Sequence, residues 1–107
     1  MKSDRLTEIV GQLGLRCRMK VVGEVEEESW SNFLISPCSG YLETQQGPRR
    51  IQELEYVAIE CAKPINRGLK LSPTVRDYSG EVIQILKMDG ASFRMEGTVV
   101  YVFGAES

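Results

Sequence analysis

From Leu15 to Val21 the side chains alternate strictly. Leu15, Cys17, Met19 and Val21 are apolar, and Arg16, Arg18 and Lys20 between them are cationic. A period of two sends successive side chains to opposite faces of an extended backbone, so this stretch is a strand with one face buried and one face open. Clean alternation of that kind belongs to an antiparallel sheet, whereas parallel strands are apolar on both sides.

The rest of the 107-residue chain supplies the cover for such a strand. Leu6, Ile9, Val10 and Leu13 recur at helical spacing over residues 4–13, and Gly14 suits the left-handed position just past a helix end. After the acidic stretch Glu24, Glu26, Glu27 and Glu28, the residues Trp30 to Ile35 read as a second strand, in a hairpin with the first. Ser36-Pro37-Cys38-Ser39-Gly40 ends that strand, and a short third one follows over residues 41–46.

Residues 48–62 admit two readings. As a helix, Ile51, Leu54, Val57, Ala58 and Cys61 share one arc, with Pro48 in the first turn and Pro64 at the end, and this reading is favoured. As a strand, Leu54 to Cys61 forms a hairpin with 41–46 across Gly47-Pro48 and needs a bulge near Tyr56. Residues 63–80 contain two prolines and two glycines without a sustained period, and read as a long connection.

The C-terminal part reads as a meander. A strand over 81–88 meets the turn signal Asp89-Gly90, then come strands 91–96 and 98–103 broken by Gly97. Val99, Tyr101 and Phe103 oppose Thr98, Val100 and Val102, so the last strand is apolar on both faces and requires cover on both. The expectation is therefore one α+β domain spanning 1–107, an antiparallel sheet of five to six strands with one or two helices on one face. The cover for the second face is either the 63–80 connection or a second copy of the chain.

Chemistry is constrained by what is missing. The chain has no histidine, which removes the commonest general base and metal ligand. Ser-His-Asp and Cys-His pairs are thereby excluded. No glycine-rich phosphate loop, no Walker spacing and no G-x-S-x-G elbow occurs. Cys17, Cys38 and Cys61 stand too far apart for a zinc pattern and are odd in number for a disulfide framework. Cys17 and Cys61 lie in apolar segments and read as core filling. No metal, cofactor or catalytic residue is expected. A carboxylate-based hydrolase using Glu53, Glu55, Glu60 or Asp77 is the weakest alternative.

Charge is unevenly spread beneath a net charge of −2. Residues 1–23 carry a net +3, residues 24–60 a net −6 and residues 63–80 a net +3. Segregated charge is a statement about partners rather than fold. The Arg16, Arg18 and Lys20 stripe, with the sole tryptophan Trp30, forms a candidate surface for a protein partner or for a second copy in a homodimer. A nucleic-acid partner is not expected, because there is no general basic excess and the stripe carries no interleaved aromatics.

Val75-Arg76-Asp77-Tyr78-Ser79-Gly80 resembles the D-x-S-x-x-G element of cyclic-dinucleotide-binding PilZ domains, with Arg49-Arg50 upstream in the position of a phosphate clamp. Ser79 and Gly80 are adjacent here, where that element spaces them by three, so no family membership follows. Arg49, Arg50, Arg67 and Arg76 remain candidates for an anionic, nucleotide-like ligand. The N-terminus lacks an apolar leader and no segment reaches membrane-spanning length, which gives a cytoplasmic, non-membrane expectation. The functional expectation is a non-catalytic adaptor, regulator or inhibitor; the alternative is an anion sensor.

Overall fold

The structure, a computed structural model, describes residues 3–32, 34, 41–44, 47–65 and 74–104. Helix α1 (Ser3–Leu13) leads into strand β1 (Arg16–Val21). Next come β2 (Tyr41–Thr44), β3 (Gly47–Arg50), a 3-10 turn (Ile51–Glu53) and β4 (Leu54–Glu60). The chain continues through β5 (Ala62–Ile65), β6 (Thr74–Asp77), helix α2 (Ser79–Met88), β7 (Phe93–Glu96) and β8 (Val99–Val102). The class is α+β.

One antiparallel sheet organises the molecule, with strand order β1-β4-β8-β7. It has four strands rather than five or six, because β2 pairs only with β3 and β5 only with β6, in separate two-stranded ribbons. One sheet face carries Cys17, Met19, Val21, Leu54, Val57, Ile59, Val100 and Val102, all buried. These pack in one cluster with Leu6 and Val10 of α1 and with Val82 and Leu86 of α2. Each large aliphatic side chain buried there contributes on the order of 1.5–3 kcal/mol.

Both helices end the same way. In α1 the Leu15 N–H donates to the Val10 carbonyl (3.1 Å) and the Gly14 N–H to that of Gly11 (3.3 Å). In α2 the Ala91 N–H donates to the Leu86 carbonyl (2.9 Å) and the Gly90 N–H to that of Lys87 (3.2 Å). This pair of bonds, with Gly14 at φ 65° and Gly90 at φ 67°, is the Schellman termination. The expected α1 and its stop at Gly14 therefore hold.

Residues 81–88 do not form a strand; they belong to α2. Val82, Ile83, Ile85 and Leu86 fit either period, but Val82 and Leu86 stand one turn apart and are both buried at the core. Asp89-Gly90, read as a hairpin turn, is the helix end. The Asp77 carboxylate accepts the Ser79 N–H (2.8 Å) where α2 begins. The remaining hairpin of the expected meander is present, with β7 and β8 joined across Gly97 (φ 61°).

The favoured helix over 48–62 is also overturned. Val57, Ile59 and Cys61 are fully buried on one face, and β4 lies between β1 and β8. The strand reading was right about the bulge. Lys20 opposes Tyr56 and Val21 opposes Leu54, so Glu55 is the extra residue. It was wrong about the partner, since Tyr41–Thr44 pairs with Gly47–Arg50.

The 63–80 connection is not structureless where it is described, as β5 and β6 form a ribbon within it; residues 66–73 lie outside the described residues. Among the described residues of the expected strand 30–35, the pairing is one bridge between Cys17 and Ser31. Three backbone bonds tie 28–31 along β1, from Glu28 N–H to Met19 O (2.9 Å) and reciprocally between Cys17 and Ser31 (2.7 and 2.8 Å). Phe33 and Ile35 lie outside the described residues. At the far end, Gly104 is buried against the backbone oxygens of Ile51 and Leu54, and an added Cβ would stand 2.9 Å from the latter.

Candidate binding surface

The helices cover one face of the sheet, and the register defines the other. Arg16 opposes Glu60, and Glu60 opposes Val99, which opposes Glu96. In the next row Arg18, Ala58, Tyr101 and Arg94 stand side by side, and Lys20 opposes Tyr56. Ala58 is fully buried although it lies outside the main core, beneath its long neighbours on this second face.

Aromatic rings and guanidinium groups dominate this face. The Arg18 guanidinium lies 4.5 Å from the Trp30 ring centroid and that of Arg16 lies 5.8 Å from it. Arg94 sits 5.6 Å from the Tyr101 ring and 5.9 Å from that of Phe103. Tyr56 and Tyr101 meet edge to face, with centroids 5.1 Å apart and an interplanar angle of 79°. Such stacking holds rings and cations in fixed orientations without removing them from solvent.

Most cations here also have acidic partners. Arg18 Nε pairs with Glu27 (2.9 Å), Lys20 pairs with Glu55, and Arg94 pairs with Glu96 (3.2 Å). The Tyr56 hydroxyl is held in the neutral form by burial, by its bond to Glu27 and by that residue's charge. Part of the charge asymmetry along the chain is thus compensated in space, as Glu27 and Glu55 pair with Arg18 and Lys20 of the basic stripe.

The four partner-face candidates, Arg16, Arg18, Lys20 and Trp30, are brought together. Of the ligand candidates, the three described ones lie on two separate ribbons. Arg49 and Arg50 lie on β3, where Arg49 pairs with Glu53 (3.5 Å) and Arg50 Nε donates to the Tyr41 hydroxyl (3.2 Å). Arg76 lies on β6, with its guanidinium 4.8 Å from the Tyr78 ring. Arg67 and Cys38 lie outside the described residues. Sequence reasoning missed Tyr56, Tyr101, Phe103 and Arg94 as members of the surface. Tyr101 and Phe103 alternate visibly, but only the register shows that they flank the basic strand's neighbours.

The carboxylates considered for hydrolysis each have structural work. Glu53 pairs with Arg49 and Glu55 with Lys20; Glu60 accepts the Thr98 hydroxyl (2.9 Å), and Asp77 accepts the Ser79 N–H. Among the described residues no group of three or more Cys, Asp and Glu is arranged to hold a metal ion. Cys17 and Cys61 are buried in the core, as core fillers should be. The acidic connection leaves Val25 92% exposed between glutamates. No helix among the described residues is long and apolar enough to cross a membrane. Comparison with known proteins yields no match: no protein-family model, no curated protein and no solved structure is significantly similar to this chain.

Proposed function

We propose that this chain is a non-catalytic binding module that engages a protein partner through the open face of its four-stranded sheet. The observation that carries the reading is the layer of Trp30, Tyr56, Tyr101 and Phe103 interleaved with Arg16, Arg18 and Arg94. These rings are half-buried in the isolated chain. Tryptophan, tyrosine and arginine are the residue types that dominate binding energy at protein interfaces, because they bury large areas at small entropic cost. The balanced charge of the face favours a partner of mixed charge over a polyanion.

Native molar mass, measured by light scattering on the wild-type chain and on Arg94→Glu and Tyr101→Ala, is the first test. A dimer that both substitutions dissociate assigns the face to a second copy. A monomer directs attention to another protein, sought by capture with wild-type and substituted chains of equal thermal stability. A captured partner lost with both substitutions supports the reading. A dimer or partner retained unchanged by both overturns it.

A further inference from the structure

We propose that the cleft between the end of α1, the start of β1 and the start of β5 binds a phosphate-bearing small molecule. This site adds to the protein-binding face, with which it shares Arg16. The cleft measures about 440 Å³ and is bounded by Gly14 and Leu15, by Arg16 and Asn32, and by Lys63 and Pro64. That volume falls in the range of small-molecule sites and exceeds what a bare phosphate fills, leaving room along the exposed Pro64 for an organic portion.

Two cations at the cleft lack a carboxylate partner, which suits a phosphate group. Arg5, Arg18, Lys20, Arg49 and Arg94 all have carboxylate partners. Arg16 and Lys63 have none among the described residues. Arg76, directly opposite Lys63 in the β5–β6 ribbon, has none either. Like charges in directly opposed positions destabilise a ribbon, and a dianion at Lys63 lowers that cost. Glu60, opposite Arg16, accepts from Thr98, and Asp77 accepts from Ser79, and neither forms an ion pair with Arg16 or Lys63 among the described residues.

The donors are available as well. Lys63 Nζ uses one N–H on the Leu13 carbonyl (2.9 Å), which fixes the ammonium at the cleft and leaves two N–H groups. Gly14 permits that approach, since a Cβ there would stand 2.8 Å from Nζ. Arg16 has five N–H donors and no hydrogen bond among the described residues, only its stacking on Trp30. Charge-assisted bonds from guanidinium and ammonium groups are the usual means of holding phosphate.

Calorimetric titration with inorganic phosphate and with adenosine monophosphate tests the site. The wild-type chain should bind, and Arg16→Gln and Lys63→Gln should each weaken binding roughly tenfold or more, the loss of one charge-assisted bond. Lys63→Gln keeps an N–H for the Leu13 carbonyl, and unchanged melting temperatures show that both variants fold. Lys87→Gln on α2 and Arg94→Glu on the aromatic face should leave affinity unchanged, which separates this site from the protein-binding face. Tighter binding of the nucleotide than of phosphate places the organic portion in the cleft; equal binding shows that the phosphate group alone is recognised. No binding of either probe at millimolar concentration, or equal affinity in all variants, overturns the proposal.

Discussion

Cys17 and Cys61 show how burial alone decides a residue's chemistry. Burial, followed by the charge of Glu28, pushes the Cys17 thiol up to about 11. Burial, followed by Asp77, Glu60 and Glu81, pushes that of Cys61 up to about 12. Both thiols are therefore neutral at physiological pH and poor nucleophiles. The linkage to stability follows from the ordinary thiol value of 9.0. Above that pH the unfolded chain releases these protons while the native chain retains them. The native state then binds more protons, and stability falls as pH rises. The contribution is fully present below about 9 and is lost progressively towards 11–12. Urea midpoints measured from neutral pH to about 11 should decline at the alkaline end, and the double substitution Cys17→Ala, Cys61→Ala should flatten that decline. An equal slope in both chains would show that these thiols ionise as freely in the fold as outside it.

Glycine separates the two helices' interiors from their ends, and the same substitution should have opposite signs there. At Gly90 an added Cβ meets nothing within 4 Å, so the cost of Gly90→Ala is conformational, arising from φ 67°. It should destabilise by about 1–2 kcal/mol. Gly11, exposed inside α1 and also free of contacts, has no such constraint, and Gly11→Ala should stabilise by about 0.5–1 kcal/mol. Denaturant titration of the two variants checks both signs. These end signals were also the most legible part of the sequence. Gly14 after an i, i+3, i+4 pattern fixed α1, and the alternation from Arg16 to Val21 fixed β1. Asp89-Gly90 misled because a Schellman stop and a hairpin turn use the same left-handed glycine, and Val82, Ile83, Ile85 and Leu86 satisfy both periods. Residues 54–61 misled because the bulge at Glu55 breaks the alternation that marks a strand, and a strand between two neighbours carries little polar residue to reveal its period. At the surface, Arg16, Arg18, Lys20 and Trp30 were legible as one cluster because they are close in sequence. Tyr56, Tyr101 and Arg94 joined them only through the β1-β4-β8-β7 order, which no local pattern encodes.

At the scale of the whole molecule, the sheet and helices share one core while the β5–β6 ribbon extends from it. Val57 and Ile59 in β4 and Val100 and Val102 in β8 are fully buried, in strands bonded on both sides. Every residue of β6 is exposed, and among the described strands β5 and β6 pair with each other alone. Local opening free energies track such differences, from near zero in peripheral segments to the global value in a core sheet. Native-state hydrogen exchange should therefore find the amides of β4 and β8 slowest and those of β6 fastest among the strands. Adding phosphate then tests how the ribbon and the cleft are connected. Lys63 belongs to both, so a ligand held there stabilises the closed ribbon by mass action, and the slowing should be greatest in β5 and β6. Slowing spread evenly over all strands would mean that the ribbon opens only when the whole domain unfolds, and equal protection of Arg76 and Val57 without ligand would show the same thing directly.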